Sequence, residues 1–225
     1  MPSRRVRTAG LIIAATSLAS CGTGLDTYGT NHSQNGQGTG SGGSGGGPPD
    51  ATAIVLYLST GTFKGDVGNR STTSAICAGS TGTAGVVGNF QHGFVAVLGY
   101  PSDSIEQLPN TIPFVSTLPV NAPNGTQIAP TWDSLIANGP GADLHTFDSA
   151  AFPNGGVNFW TGVKITTGTM SFDATNACEN LGTAWNTTSP SGDAGSTGSP
   201  TQAGFFSSVA TSCISQINLL CGAFP

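Results

Sequence analysis

Five cysteines, three histidines and eleven carboxylates carry most of the reactive chemistry in this 225-residue chain. Cys213 and Cys221 stand eight residues apart in "SCISQINLLC", and Cys21, Cys77 and Cys178 are spread through the rest. A thiol can act as a nucleophile, ligate a metal, close a disulfide or carry a lipid. Nucleophilic work needs a base beside it, yet His92 and His145 are the only histidines beyond residue 50, and neither has a His-x-x-x-His partner. Beyond residue 50 a Gly-x-Ser-x-Gly elbow is absent. His145 is flanked by Asp143 and Asp148 and reads as a loop histidine. Asp103, Glu106 and Asp133 supply the carboxylates that glycoside hydrolysis would need, but sequence spacing does not set their separation in space. Solvated charge and an acid in a first helical turn are the simpler readings. No catalytic residue is expected, and no metal or other cofactor.

Cys21 has a setting of its own. "MPSRRVRTAGLIIAATSLASC" opens with Arg4, Arg5 and Arg7, continues through about eleven mostly apolar residues from Ala9 to Ala19, and ends on small residues before the cysteine. That apolar stretch is too short for a bilayer span, which needs about 20 residues, and matches the core of a signal peptide. Leu18-Ala19-Ser20-Cys21 resembles a bacterial lipobox. Residues 1–20 are therefore expected to be a lipoprotein signal peptide, with Cys21 lipidated and the membrane as its partner through that anchor. The expected location is the bacterial cell envelope, at the outer membrane and exposed on the cell surface. Four cysteines then remain, an even set that reads as two disulfides in an exported protein.

Residues 21–50 form a linker rich in Gly, Ser and Asn, including "GTNHSQNGQGTGSGGSGGGPPD". Such a segment buries almost nothing, and as a coil it reaches on the order of 30 Å. His32 lies within it and is assigned no role. Beyond the three leading arginines only Lys64, Arg70 and Lys164 are cationic, against eleven carboxylates, a net charge of −8. A chain with no basic stripe is a poor match for nucleic acid, heparin-like polyanions or anionic lipid surfaces.

Residues 51–225 are expected to form a single α+β domain. Charged residues are only 8% of the chain and glycine contributes 34 positions, a composition suited to short strands and polar loops. "ATAIVLYLS" reads as a strand over Ala53–Leu58, "STTSAICAGS" as a short helix carrying Cys77 inward, and "HGFVAVLGY" (92–100) as a strand buried on both faces. "TWDSLIANG" reads as a helix capped by Thr131 and stopped by Gly139. "GVNFWTGV" and "CISQINLLC" read as core strands. If 213–221 is extended, its eight residues span about 26 Å at about 3.3 Å each, whereas disulfide-linked Cα atoms lie roughly 4.4–6.8 Å apart. Cys213 and Cys221 then cannot bond each other, which leaves two of three connectivities. Each bridge is expected to contribute roughly 3–5 kcal/mol.

Residues 53–224 resemble the endostatin domain of collagens XV and XVIII. "IVLYLSTGTFKGDVGNRSTTSAIC" looks like that family's opening strand, turn and cysteine-bearing helix, and "TWDSLIANG" is similar to its tryptophan-acid-leucine segment. "LHTFDS" is similar to the short strand that follows, "FWTG" to its Trp-x-Gly core strand, and "ACENLGTAW" to its Cys-Glu region. "GDAGSTGS" stands where the family has a Thr-Gly-rich loop, and "SCISQINLLC" is similar to its closing strand. The resemblance implies a C-type-lectin-like fold with bridges Cys77–Cys221 and Cys178–Cys213. It also places Trp132, Trp160 and Trp185 at core positions. Leptospiral endostatin-like outer-membrane lipoproteins join a similar anchor to such a domain and bind host matrix and complement-regulatory proteins.

The departures matter as much. The vertebrate domain binds heparan sulfate through arginines that this chain lacks, and its zinc site uses histidines near its N-terminus, where only linker stands here. "LPN", "APN" and "TWDS" lack the residues with which calcium-dependent lectins hold sugar. The expectation is a non-catalytic, adhesin-like module for an extracellular protein or glycan. Its contacts would come from the loops Gly99–Pro130 and Trp185–Gly204. The alternatives are a structural envelope lipoprotein facing the periplasm and, third, a carbohydrate-active enzyme.

Overall fold

A computed structural model describes residues 51–153, 156–178, 184–187 and 190–225. The expected signal peptide, Cys21 and the expected linker lie outside the described residues.

The described chain is mixed α+β, with sheets dominant and few helices. Strand β1 (Ile54–Leu58) leads to helix α1 (Arg70–Ala84), strand β2 (Gly93–Ala96) and a helical turn α2 (Leu108–Thr111). Next come β3 (Val120–Asn121), β4 (Gln127–Ala129), α3 (Trp132–Asn138) and α4 (Leu144–Phe147). Strands β5 (Asn158–Trp160), β6 (Val163–Thr166), β7 (Thr169–Phe172) and β8 (Ser191–Ser196) follow, then α5 (Gln202–Phe206), β9 (Val209–Ser212) and β10 (Asn218–Phe224).

The main sheet runs β4-β3-β1-β10-β5-β8-β9, with β2 also paired to β10. Strand β10 organises it: it lies antiparallel to β1 along one side, while on the other its start pairs with β5 and its end with β2. Its residues alternate between two buried faces, Leu220 and Phe224 on one and Leu219, Cys221 and Ala223 on the other. Strand β1 alternates likewise, Ile54, Leu56 and Leu58 opposite Tyr57. Side chains in a strand alternate sides, so a near-continuous apolar run is what a strand covered on both faces requires.

Helix α1 has weak intrinsic support, since "RSTTSAICAGSTGTA" holds two glycines and many hydroxyl residues. Its ends are set locally: the Asn69 side chain accepts from the Thr72 N–H, and Gly85 closes the last turn at φ 71°. Its middle is held by tertiary contacts. Cys77 is bridged to β10, the Tyr57 hydroxyl donates to the Cys77 carbonyl at 2.9 Å, and Thr73 meets the Tyr100 hydroxyl at 3.1 Å. The helix is therefore longer than the stretch around Cys77 suggests. Helix α3 is capped where the sequence indicates, with Thr131 accepting from the Ser134 N–H at 2.9 Å and the Gly139 N–H donating to the Leu135 carbonyl.

Five expected elements differ. "GDAGSTGS", expected as a loop within Trp185–Gly204, belongs to strand β8, because Ser191–Ser196 pairs with β5 on one side and β9 on the other. "HGFVAVLGY" is a strand only over Gly93–Ala96: the Val97 N–H still donates to Leu220 of β10, but Leu98 bonds back to the Ala96 carbonyl, and Gly99 and Tyr100 donate to the Thr161 and Asp103 carbonyls. "GVNFWTGV" is interrupted after Trp160 by Gly162 at φ 62°, which sends the chain into the separate β6–β7 hairpin. "LHTFDS" forms a helical turn, not a strand, because the Asp143 side chain accepts from the His145 N–H and nucleates it. "CISQINLLC" is not one strand. It turns at Ser212–Ser215, where the Ser215 N–H donates to the Ser212 carbonyl at 2.8 Å, and pairing resumes at Asn218. The turn is needed because β9 and β10, which run the same way, are separated in the sheet by β8 and β5.

Candidate functional site

Two disulfides close the domain. Cys77–Cys221 joins α1 to β10, and Cys178–Cys213 joins the approach to β8 with the turn after β9, with Cα separations of 5.5 and 5.8 Å. Cys213 and Cys221 do not bond each other, although the path between them bends. Close quarters around the second bridge demand glycine: a Cβ on Gly192 would stand 2.7 Å from Cys178 Sγ and 2.9 Å from the Trp160 ring. Cys178 itself takes φ 47° and Trp185 φ 59°, both in the left-handed region that non-glycine residues seldom occupy. Backbone bonds hold them there, the Trp185 N–H to the Ala177 carbonyl at 2.9 Å and the Asn186 N–H to the Cys178 carbonyl at 3.3 Å.

The three tryptophans are all buried. Trp160 and Trp185 lie side by side, ring centroids 5.8 Å apart, on the face that holds both disulfides. Each indole N–H has an acceptor at 2.8 Å, the Phe63 carbonyl for Trp160 and the Gly99 carbonyl for Trp185. Trp132 packs on the other face, edge-on to Phe114 and Phe224.

The carboxylates singled out from the sequence separate into different settings. Asp103 is committed to Arg70, whose Nε donates to Oδ2 at 2.7 Å while its Nη atoms donate to the carbonyls of Ala96, Leu98 and Asp103. The guanidinium also sits 4.5 Å from the Tyr100 ring centroid. Burial pulls Arg70 down in pKa while Asp103 opposes the shift, and burial pushes the Tyr57 and Tyr100 phenols up. Glu106 and Asp133 line a common shallow cleft with Met170 and Gln202; Asp133 is exposed and accepts from Ser116 at 2.9 Å. Asp143 caps α4, and Asp148 accepts from the backbone of Asn124, Ala150 and Ala151. His145 Nδ1 bonds the Phe152 carbonyl at 2.9 Å, so neither neighbouring carboxylate engages its ring nitrogen there.

A pair that the sequence does not announce is buried nearby. Asp173, at the end of β7, and Asp193, within β8, are 7% and 6% exposed. Burial pushes the Asp193 carboxyl up to about 7; the charge of Asp173 and a hydrogen bond to it add to the rise, and Lys164 opposes it. Asp193 Oδ2 has no donor among the described residues.

Two further open clefts are found among the described residues, and only the first of them reaches the expected contact loop Trp185–Gly204. One of about 450 Å³ is lined by Asp143, Gly156, Ser196, Ser199, Pro200 and Ser208, among others, and one of about 250 Å³ includes Ser59, Thr60, Thr83 and Asn218. Their walls offer hydroxyls, backbone amides and small apolar surfaces, the means of hydrogen-bonded recognition. Among the described residues no three His, Cys, Asp or Glu side chains gather as a metal-binding group, and no helix is long and apolar enough to cross a membrane. No protein-family model matches the chain, and no curated protein matches it.

Proposed function

We propose that this protein is a lipid-anchored, surface-displayed binding module of endostatin-like, C-type-lectin-like fold that recognises an extracellular protein or glycan and performs no catalysis. The observation that carries the reading is the closure of the domain. The first and last strands, β1 and β10, pair side by side over Val55–Leu58 and Leu220–Ala223, and both ends of the final cysteine segment are cross-linked. The two bridges are the ones that the resemblance implies, and a domain closed in this way offers a fixed base for variable connecting segments. The hydroxyl-lined clefts suit a neutral polar partner, and the acidic balance of the chain argues against polyanions.

The proposal is tested with the oxidised mature chain, residues 21–225, on an array of glycans and extracellular proteins, paired with protease shaving of whole cells. A saturable interaction that survives moderate salt, from a protein cleaved on intact cells, is the expected result. A folded protein that binds nothing on the array and is protected on intact cells would instead be a structural lipoprotein facing the periplasm.

A further inference from the structure

The base of the β6–β7 hairpin is tied to strand β8 through the backbone, the Thr161 and Gly162 N–H groups both donating to the Asp193 carbonyl. The hairpin starts after Gly162 and ends at Asp173, and the Asp173 N–H donates to the Gly162 carbonyl at 3.0 Å. Just before it, the buried Thr161 donates its N–H at 3.0 Å and its hydroxyl at 3.2 Å to the Asp193 carbonyl. The two aspartates are thus bonded through backbone to the adjacent residues Gly162 and Thr161, and both are buried. Asp173 is already supplied with donors, the Thr175 N–H at 3.0 Å and Asn176 Nδ2 at 3.2 Å. Asp193 Oδ2 is buried with no donor among the described residues. An ionised carboxylate in that position would face a second carboxylate with an acceptor oxygen unsatisfied, which is costly on both counts.

We propose that Asp193 and Asp173 share one proton, carried on Asp193 and donated to Asp173, and that this proton latches the β6–β7 hairpin to strand β8. Among the described residues the charged groups around it are few. Lys164 on β6 opposes protonation, while β5, β9, α5 and the Ala174–Asn176 turn, which pack against β8, carry no titratable side chain. A group whose carboxyl rises on folding, here from 3.8 to about 7, adds stability fully below the lower value and loses it as pH climbs through the higher one. The latch is closed in mild acid and opens above neutrality. Its loss would weaken the folding equilibrium between pH 5 and pH 8 by on the order of ten- to a hundredfold.

The test compares denaturant unfolding of the oxidised chain with that of Asp193→Asn across pH 5–8, so that contributions from all other carboxylates cancel in the difference. The side-chain amide introduced by Asp193→Asn would donate to Asp173 at every pH, so the wild type should lose stability relative to the variant as pH rises. Parallel profiles would overturn the latch. Infrared spectra of the wild type provide a second reading that does not depend on the variant folding. A carboxylic C=O stretch should be present at pH 6 and gone by pH 8.5, and its absence at pH 6 would refute the shared proton.

Discussion

The two faces of the main sheet are built on different principles. One packs Leu56, Phe159, Phe205, Phe206, Phe224 and Trp132 into a core with no disulfide and with aromatic rings edge-on or tilted against each other. The opposite face is made of smaller residues such as Ala96, Ala177 and Ala223, together with the four cysteines and two hydrogen-bonded tryptophans. Large side chains stabilise by the apolar area they remove from water. Small ones bury less each, and the second face compensates with covalent closure and polar contacts fixed in direction. The lesson is a division of labour: one face supplies bulk burial, and the other sets the positions of α1, the Cys178–Trp185 segment and the β8–β9 edge.

That contrast is broken most directly at the bridges. Cys77→Ser with Cys221→Ser opens a closure spanning 144 residues and should cost about 5 kcal/mol by the chain-entropy relation. Cys178→Ser with Cys213→Ser, spanning 35, should cost about 4 kcal/mol by the same relation. Denaturant midpoints of the two double variants check the order, and equal or reversed losses would show that closure length does not govern this face. On the apolar face, Leu56→Ala should cost roughly 2–5 kcal/mol through lost burial and a cavity. Disulfide pairing in that variant, mapped on non-reduced peptides, should be unchanged. The smallest effect is expected at Trp160→Phe, which keeps an aromatic ring and removes one of the two donors to the Phe63 carbonyl, the Ile217 N–H remaining, at about 1 kcal/mol in the unfolding equilibrium. A neutral result there would mean that packing alone fixes Trp160.

Much of the local structure was legible. Thr131 and Gly139 bracket α3 because a hydroxyl before a helix and a glycine after it satisfy backbone groups within the same few residues. The apolar run around Leu56 marks β1 for a similar reason, its alternate side chains entering two cores. The cysteines were legible in part. An extended 213–221 segment excluded one pairing, and the resemblance selected between the other two. The segment nevertheless bends at Ser212–Ser215, because the chain must step past two strands before it can pair again. The helical turn at Leu144–Phe147 was misread because the Asp143 cap outweighs the extended preference of a four-residue stretch. Arg70 gave no sign in sequence of the three carbonyls it gathers, and Glu106 and Asp133 meet at one cleft while Asp103 does not.

The amino-acid sequence by itself determined the alternation of apolar residues in β1 and β10, the caps of α3, the even set of cysteines beyond Cys21 and the shortage of cations. Each follows from composition or from contacts within a few residues. Tertiary structure alone decided that a helix of weak formers persists from Arg70 to Ala84, that the chain turns between Cys213 and Cys221, and that Asp173 and Asp193 are both buried. Those outcomes depend on what is brought near in space and on which groups lose their hydration, and neither is encoded in sequence separation.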